Sequence, residues 1–243
     1  MSFALRAIAS EPANIRIARE LRLQLMRGER EPGEILTHRK LAEQLGVSPM
    51  PVRDALRQLL AERALVVANG NRSVAVPQLD LARLYDLKTV RENLEGTAAR
   101  LTASRWRPHQ LARIEAILEA SETTGTPDLS RNLDFHFAIY EASQSEVLLP
   151  LIESLWLQFG PYLTRVKALA GDTMGTGDTY HRRVVEALRA RDEEAAQRAI
   201  VADISGAMTL LFSDHAVAAR PNSTTITGRP RPEAQTSTQR ILK

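Results

Sequence analysis

Apolar residues recur at helical intervals through most of this 243-residue chain, and the places where the interval changes divide it. In residues 14–30, Ile15, Ile17, Ala18, Leu21, Leu25 and Met26 share one broad face with Asn14 placed to cap it, which predicts a first helix. Pro32-Gly33 interrupts that pattern. Leu41, Ala42 and Leu45 then fall at helical spacing ahead of Gly46, the residue type that a helix end needs for a left-handed backbone. Ser48 suits the N-cap of a second short helix and Pro49 its first position. Val52, Leu56, Leu59 and Leu60 line one face, leaving Arg53, Arg57 and Gln58 elsewhere. Beyond them, "ALVVANGNRSVAVP" holds two short β-rich runs around Asn69-Gly70, a hairpin signal. Helix, helix, helix and hairpin is the order of a winged helix-turn-helix.

From Asp80 onward the period is almost wholly helical. Six segments are predicted, at approximately 80–105, 108–124, 128–144, 146–170, 178–190 and 192–215, with Pro108 and Pro127 in first-turn positions. "AGDTMGTGDT" is the one long glycine-rich loop among them. The expected architecture is an all-α antiparallel bundle after the winged head. The last stretch, 216–243, has few large apolar residues and many Pro, Ser and Thr, so it is expected to be disordered. The chain thus reads as a head (1–78), an all-helical body (79–215) and a tail (216–243).

Composition narrows the chemistry. With 44% hydrophobic and 25% charged residues, the chain resembles ordinary soluble globular proteins. No apolar run reaches the roughly 18 residues of a membrane span, and the N-terminus lacks a signal peptide's apolar region, so a cytoplasmic location without membrane contact is expected. The absence of cysteine excludes disulfides, thiolate nucleophiles and Cys-type zinc sites, leaving any metal to His, Asp, Glu or Asn. Charge is divided. Residues 1–78 carry 12 Lys/Arg against 8 Asp/Glu, 79–215 carry 15 against 20, and 216–243 carry 5 against 1. A basic head on an acidic body is what attraction to a phosphate backbone requires.

The strings "GEREPGEIL", "LAEQLGVSPMPVRDALRQLLAERAL", "VRENLEGTAARLTASR", "NLDFHFAIYEAS" and "HRRVVEALRARDEEAA" resemble the GntR family of bacterial transcription regulators with a FadR-type effector-binding (FCD) domain, over roughly 15–215. Six predicted body helices look closer to its VanR-type branch than to the seven-helix one. The resemblance implies that the helix opening at Ser48 enters the major groove of a double-stranded operator and the wing touches the adjacent backbone or minor groove. Arg39, Ser48, Met50, Pro51, Arg53 and Arg72 are then the contact candidates, the alternative for Arg53 being a surface pair with Asp54 or Glu62. Two departures limit the carry-over. Pro49 stands where the family usually has an arginine, and Ser73 where it has the glycine after the wing arginine.

In many such effector domains a divalent metal is held by an Asp, a His four residues later, and two further His. By that resemblance the ligand candidates are Asn132, His136, His181 and Asp203, two of the four being changed but with the same total charge. Zinc, nickel or manganese is the implied ion, and a metal-free polar ligand pocket is the alternative. Arg91 matches the family's effector-binding arginine, which implies a bidentate clamp on an organic acid, with Arg165 as a second clamp; a surface salt bridge is the other reading of each. Leu155, Trp156, Phe159 and Tyr162 are expected in core or dimer packing. The expected function is therefore a homodimeric, effector-responsive transcription regulator, repression being the more frequent family outcome. A metal-assisted hydrolase at His136/His181 lacks a nucleophile elbow, a phosphate loop or HExxH in the sequence, and an effector-free architectural DNA binder would call for an apolar, filled body interior.

Overall fold

The computed structural model describes residues 11–70, 73–124, 128–171 and 177–218. The wing residue Arg72, the helix start at Pro127, residues 172–176 of the glycine-rich loop and the tail beyond Ala218 lie outside the described residues.

The head opens with α1 (Ala13–Met26), whose N-cap is Pro12, so Asn14 lies inside the helix and does not cap it. Its buried stripe is Ile17, Ala18, Leu21, Leu25 and Met26, while Ile15 faces solvent. A two-residue strand, β1 (Ile35–Leu36), follows the Pro-Gly break, and α2 (His38–Leu45) starts where the Thr37 hydroxyl accepts the Lys40 N–H at 3.3 Å. Gly46 adopts the expected left-handed conformation (φ 62°), and the Val47 N–H reaches back to the Ala42 carbonyl at 3.0 Å, closing the turn. Then comes α3 (Pro49–Ala61), with Val52, Leu56 and Leu59 buried and Leu60 partly so; Leu45, expected on the apolar face of α2, is largely exposed.

The wing is β2 (Val66–Ala68) paired antiparallel with β3 (Ser73–Ala75), and β1 completes a sheet of order β1-β3-β2. Asn69 and Gly70 take the positive φ angles of the turn, so Ser73 is free to begin β3, where its hydroxyl accepts from Asn69 Nδ2 at 2.9 Å.

The body contains α4 (Leu81–Arg105), α5 (Pro108–Thr124), α6 (Leu129–Ala142), α7 (Leu148–Phe159), α8 (Leu163–Ala170), α9 (Gly177–Ala190) and α10 (Glu193–Ala218). The predicted segment 146–170 is thus two helices, separated by a 3-10 turn at Gly160–Tyr162. Pro161 lacks the N–H of an α-helical interior and its ring crowds the preceding turn, which accounts for the break. With seven body helices among the described residues instead of six, the VanR-type assignment loses its basis. The two long helices, α4 and α10, pack along each other and carry α7 and α9 against them.

Head and body share one apolar core running from Ile17 to Leu211. The broken α7–α8 joint is where they touch most closely. A Cβ on Gly160 would stand 2.3 Å from the Leu25 carbonyl oxygen and 2.6 Å from Met26 Cα, so only glycine fits. Around it the Thr164 hydroxyl donates to the Gly28 carbonyl at 2.6 Å and Tyr162 to the Gln78 carbonyl at 3.1 Å. Arg22 of α1 bridges Glu62 at the end of α3 and Glu153 of α7, the latter at 2.8 Å.

Candidate functional site

Two sites of different character emerge. On the head, Arg39, Ser48, Met50 and Arg53 are exposed and Pro51 half-exposed, so α3 presents the side expected to face DNA. Ser48 occupies the N-cap position, yet its hydroxyl makes no capping bond. The reason is local: Pro49 and Pro51 have no N–H, which leaves Met50 alone within a cap's usual reach. Arg53 donates to Met50 Sδ at 2.7 Å and lies 4.0 Å from Asp54, while Glu62 is engaged by Arg22. The expected alternative partners therefore hold Arg53 loosely or not at all. Arg57, one turn further and exposed, belongs to the same face and was not among the sequence candidates; its i, i+4 spacing from Arg53 was the available signal.

Inside the body, α6, α9 and α10 each contribute one side chain to a buried centre. His136, His181 and Asp203 offer ligand atoms that all lie within 4.8 Å of one another. His136 Nε2 is 3.3 Å from Asp203 Oδ2, and His181 Nε2 is 3.7 Å from Asp203 Oδ1. Burial lowers the His181 pKa to about 4, outweighing the opposing pull of Asp203, so this ring is neutral at pH 7. For Asp203, burial pushes the pKa up, but the nearness of His136, His181 and Arg91 outweighs it and leaves the pKa lowered, so the group is ionised. Asn132 shares the α6 face one turn before His136 and is half-buried.

The network behind the triad assigns a tautomer. Tyr140 gives its only proton to Glu95, so its oxygen accepts from His136 Nδ1 at 3.0 Å, placing the imidazole proton on Nδ1. Burial, reinforced by the Glu95 charge, raises the Tyr140 pKa well above 10.0 and keeps that proton in place. A neutral His136 then points its Nε2 lone pair at a carboxylate 3.3 Å away, two acceptors face to face. A cation between them, a proton or a metal ion, is what such an arrangement calls for. Two imidazole nitrogens and a carboxylate, with one imidazole oriented by a second hydrogen bond, fit a divalent transition metal.

Glu95 is the hub of this interior. It accepts from Arg91 Nε at 2.5 Å, Arg91 Nη2 at 3.2 Å, Trp156 Nε1 at 3.1 Å and the Tyr140 hydroxyl. Arg91 itself is 2% exposed and lies 4.1 Å from the centre of the Phe159 ring. The bidentate clamp expected from Arg91 therefore already has a carboxylate in it, supplied by the chain. Arg165 is elsewhere: it is exposed and forked onto Asp214 of α10 at 2.8 Å, the surface salt bridge that was its other reading. Trp156, Phe159 and Tyr162 are core residues, Trp156 also donating to Glu95. Glu95 and Tyr140 were missed from the sequence although each follows a candidate by four residues, Arg91 and His136 respectively, and so shares its helix face.

Two family models match the chain: "Bacterial regulatory proteins, gntR family" over residues 14–76 and the FCD domain over residues 86–206. The HTH-type transcriptional regulator McbR of Escherichia coli (strain K12) is 28% identical over 207 residues, covering 83% of this chain and 93% of that protein. The solved structure of E. coli McbR/YncC matches with a TM-score of 0.77 at 27% identity, over 85% of this chain and 100% of that one. The probable D-xylose utilization operon transcriptional repressor of Paenarthrobacter nicotinovorans is 28% identical over 184 residues, 73% of this chain and 79% of that protein. With a winged head that presents arginines on α3 and an all-helical body matching these relatives, the chain belongs to the GntR family of bacterial transcription regulators, in its FCD-type group, and is a DNA-binding regulator and not an enzyme.

Proposed function

We propose that this chain is a cytoplasmic, homodimeric repressor that holds a pseudo-palindromic operator through the α3 faces of two heads and answers to an organic acid bound beside a divalent metal in the body. The head (1–78) reads DNA, with Arg72 of the wing adding to Arg39, Ser48, Met50, Pro51 and Arg53. The body (79–215) binds the acid and the second copy, for which exposed Tyr85 and Val90 on α4 offer apolar area. Repression is the direction named for several relatives, among them the D-xylose utilization operon repressor and GlaR of E. coli.

The observation that carries the ligand reading is the polar interior. An architectural protein would fill its bundle with apolar side chains, whereas this one buries an arginine, a glutamate and two histidines around an ionised aspartate. His136, His181 and Asp203 would hold the metal, with Asn132 as a weaker fourth ligand, and the ion would supply a positive centre for an acid oxygen. Arg91 packs on Phe159, the residue before Gly160, and Gly160 touches Leu25 and Met26 of α1. A ligand that shifts Arg91 therefore bears on the joint that seats the head. It alters DNA binding only so far as it prefers one seating over the other.

Elemental analysis after saturation with zinc, nickel or manganese tests the centre. Wild type should retain a single ion per chain, and His136→Ala and His181→Ala should lose it. Equal metal in all three, or none in wild type, would leave the metal-free polar pocket. Selection from random duplexes tests the head and the dimer together, and a recovered site without two-fold symmetry would remove the symmetric dimer.

A further inference from the structure

Glu95 does more than accept the Tyr140 hydrogen bond that orients His136. Its carboxylate receives four hydrogen bonds, from two nitrogens of Arg91, from Trp156 and from Tyr140, which saturates the roughly four acceptor positions of a carboxylate. It is wholly buried, so no water competes for it. Arg91 keeps one nitrogen, Nη1, that is buried without a hydrogen-bond partner among the described residues. The guanidinium thus has donors to spare but no charge to spare, because Glu95 has neutralised it. The pair adjoins the triad: Arg91 and His136 both lie against the Trp156 ring, at 5.0 and 5.1 Å, and Tyr140 links Glu95 to His136.

We infer that Glu95 sets the specificity of this pocket: by neutralising Arg91 it makes the arginine a donor to an uncharged oxygen, so the pocket takes acids bearing one carboxylate and rejects those bearing two. This rests on the reading of the body as a receptor for organic acids. A second carboxylate brought to Nη1 would be stripped of water and meet an ion pair of zero net charge, a cost with no compensating counter-ion. A carbonyl, amide or hydroxyl oxygen loses far less on desolvation and fits the same donor. Glu95 acts through Arg91 and is a positioning residue, not a contact of the acid's carboxylate.

The test uses pairs of the same length and shape, succinate with succinamate and glutarate with glutaramate, titrated by calorimetry into the full chain. In Glu95→Gln the buried arginine regains its free charge, so the diacid should gain at least about tenfold in affinity relative to its half-amide, turning the wild-type preference around. An unchanged ratio, or a Glu95→Gln protein that still binds no diacid, overturns the proposal. A merely structural Glu95 would weaken both members of a pair alike. Should Glu95→Gln not fold, Glu95→Ala in acetate replaces it: acetate at the emptied fork should raise the melting temperature saturably, whereas chloride should not. Failure of acetate to restore that variant overturns the proposal equally. The wild-type chain's operator response to acids is measured apart. Its absence beside an intact inversion removes only the regulatory reading, and its presence without the inversion removes only the role of Glu95.

Discussion

Head and body both display arginines, but they manage them differently. On the body, Arg113, Arg182 and Arg189 are half-exposed and each lies within 2.7 Å of a glutamate: Glu141, Glu122 and Glu115. On α3, Arg53 and Arg57 are 46% and 66% exposed, yet they share a single Asp54 at 4.0 and 3.9 Å. Similar exposure, different distance to a carboxylate: what marks the head as the nucleic-acid face is uncompensated charge, not the number of basic residues. The body also takes charge inside, where Arg91 and Glu95 neutralise each other and Asp203 stands between two imidazoles. On α3 charge is offered outward, and in the body interior it is either cancelled or kept for a ligand.

The body should show the larger pH response. His181 is held neutral by burial with a pKa near 4 against an ordinary 6.5, so between those values the unfolded chain binds the extra proton. Stability of the metal-stripped protein is therefore intact above about pH 6.5 and falls as pH drops toward 4, by up to about 3 kcal/mol for this group. Asp203, whose pKa is lowered, adds a loss of the same sign below its ordinary value of 3.8. Melting of wild type and His181→Gln across this range checks it. The variant should lose most of the slope, and an identical slope would mean that His181 is already charged in the native body. By the same value, protons should compete with metal for His181 only near pH 4, below the region expected of an ordinary histidine.

Next in size is the head. Arg53→Ala should cost about 1–3 kcal/mol of operator affinity, or roughly ten- to a hundredfold, with no change in melting temperature. Arg113→Ala, equally exposed but paired, should leave operator affinity untouched and cost only about 0–1 kcal/mol of stability. Anisotropy titrations at two salt concentrations check both. Equal losses from the two variants would erase the contrast between free and paired arginines.

How much of this was legible follows the range of the interactions involved. The helix–turn–helix could be read because its signals are local: Gly46 supplies its own φ of 62°, Pro49 its own helical start, and the apolar face of α3 repeats within 13 residues. Strand β1 could not, since two residues establish no alternation and its partner is Val74-Ala75, far along the chain. The triad was reached through a family pattern, because residues on α6, α9 and α10 carry no mark of their convergence. Arg165 was misplaced for the same reason: Asp214, which occupies it, lies 49 positions away on another helix. The split between α7 and α8 was written in Pro161, but the surrounding apolar period masked it.

The smallest effect separates two roles of one hydroxyl. Ser48 stands at the N-cap of α3 with extended backbone angles, φ −70° and ψ 154°, and a capping serine would normally contribute about 1 kcal/mol. Here it makes no capping bond: Pro51, at the third helical position, lacks an N–H that a cap could use, and the Met50 N–H is not taken up by the hydroxyl. The hydroxyl is exposed beside Met50 and Arg53, and is available to a phosphate oxygen. Ser48→Ala should therefore leave the melting temperature within a few tenths of a kcal/mol of wild type and weaken operator binding severalfold. That is a far smaller change than Arg53→Ala, since a neutral donor replaces none of the counter-ions that an arginine displaces. A measurable loss of stability with unchanged affinity would reverse the assignment, making Ser48 a cap after all and confining the DNA face of α3 to its charged and apolar side chains.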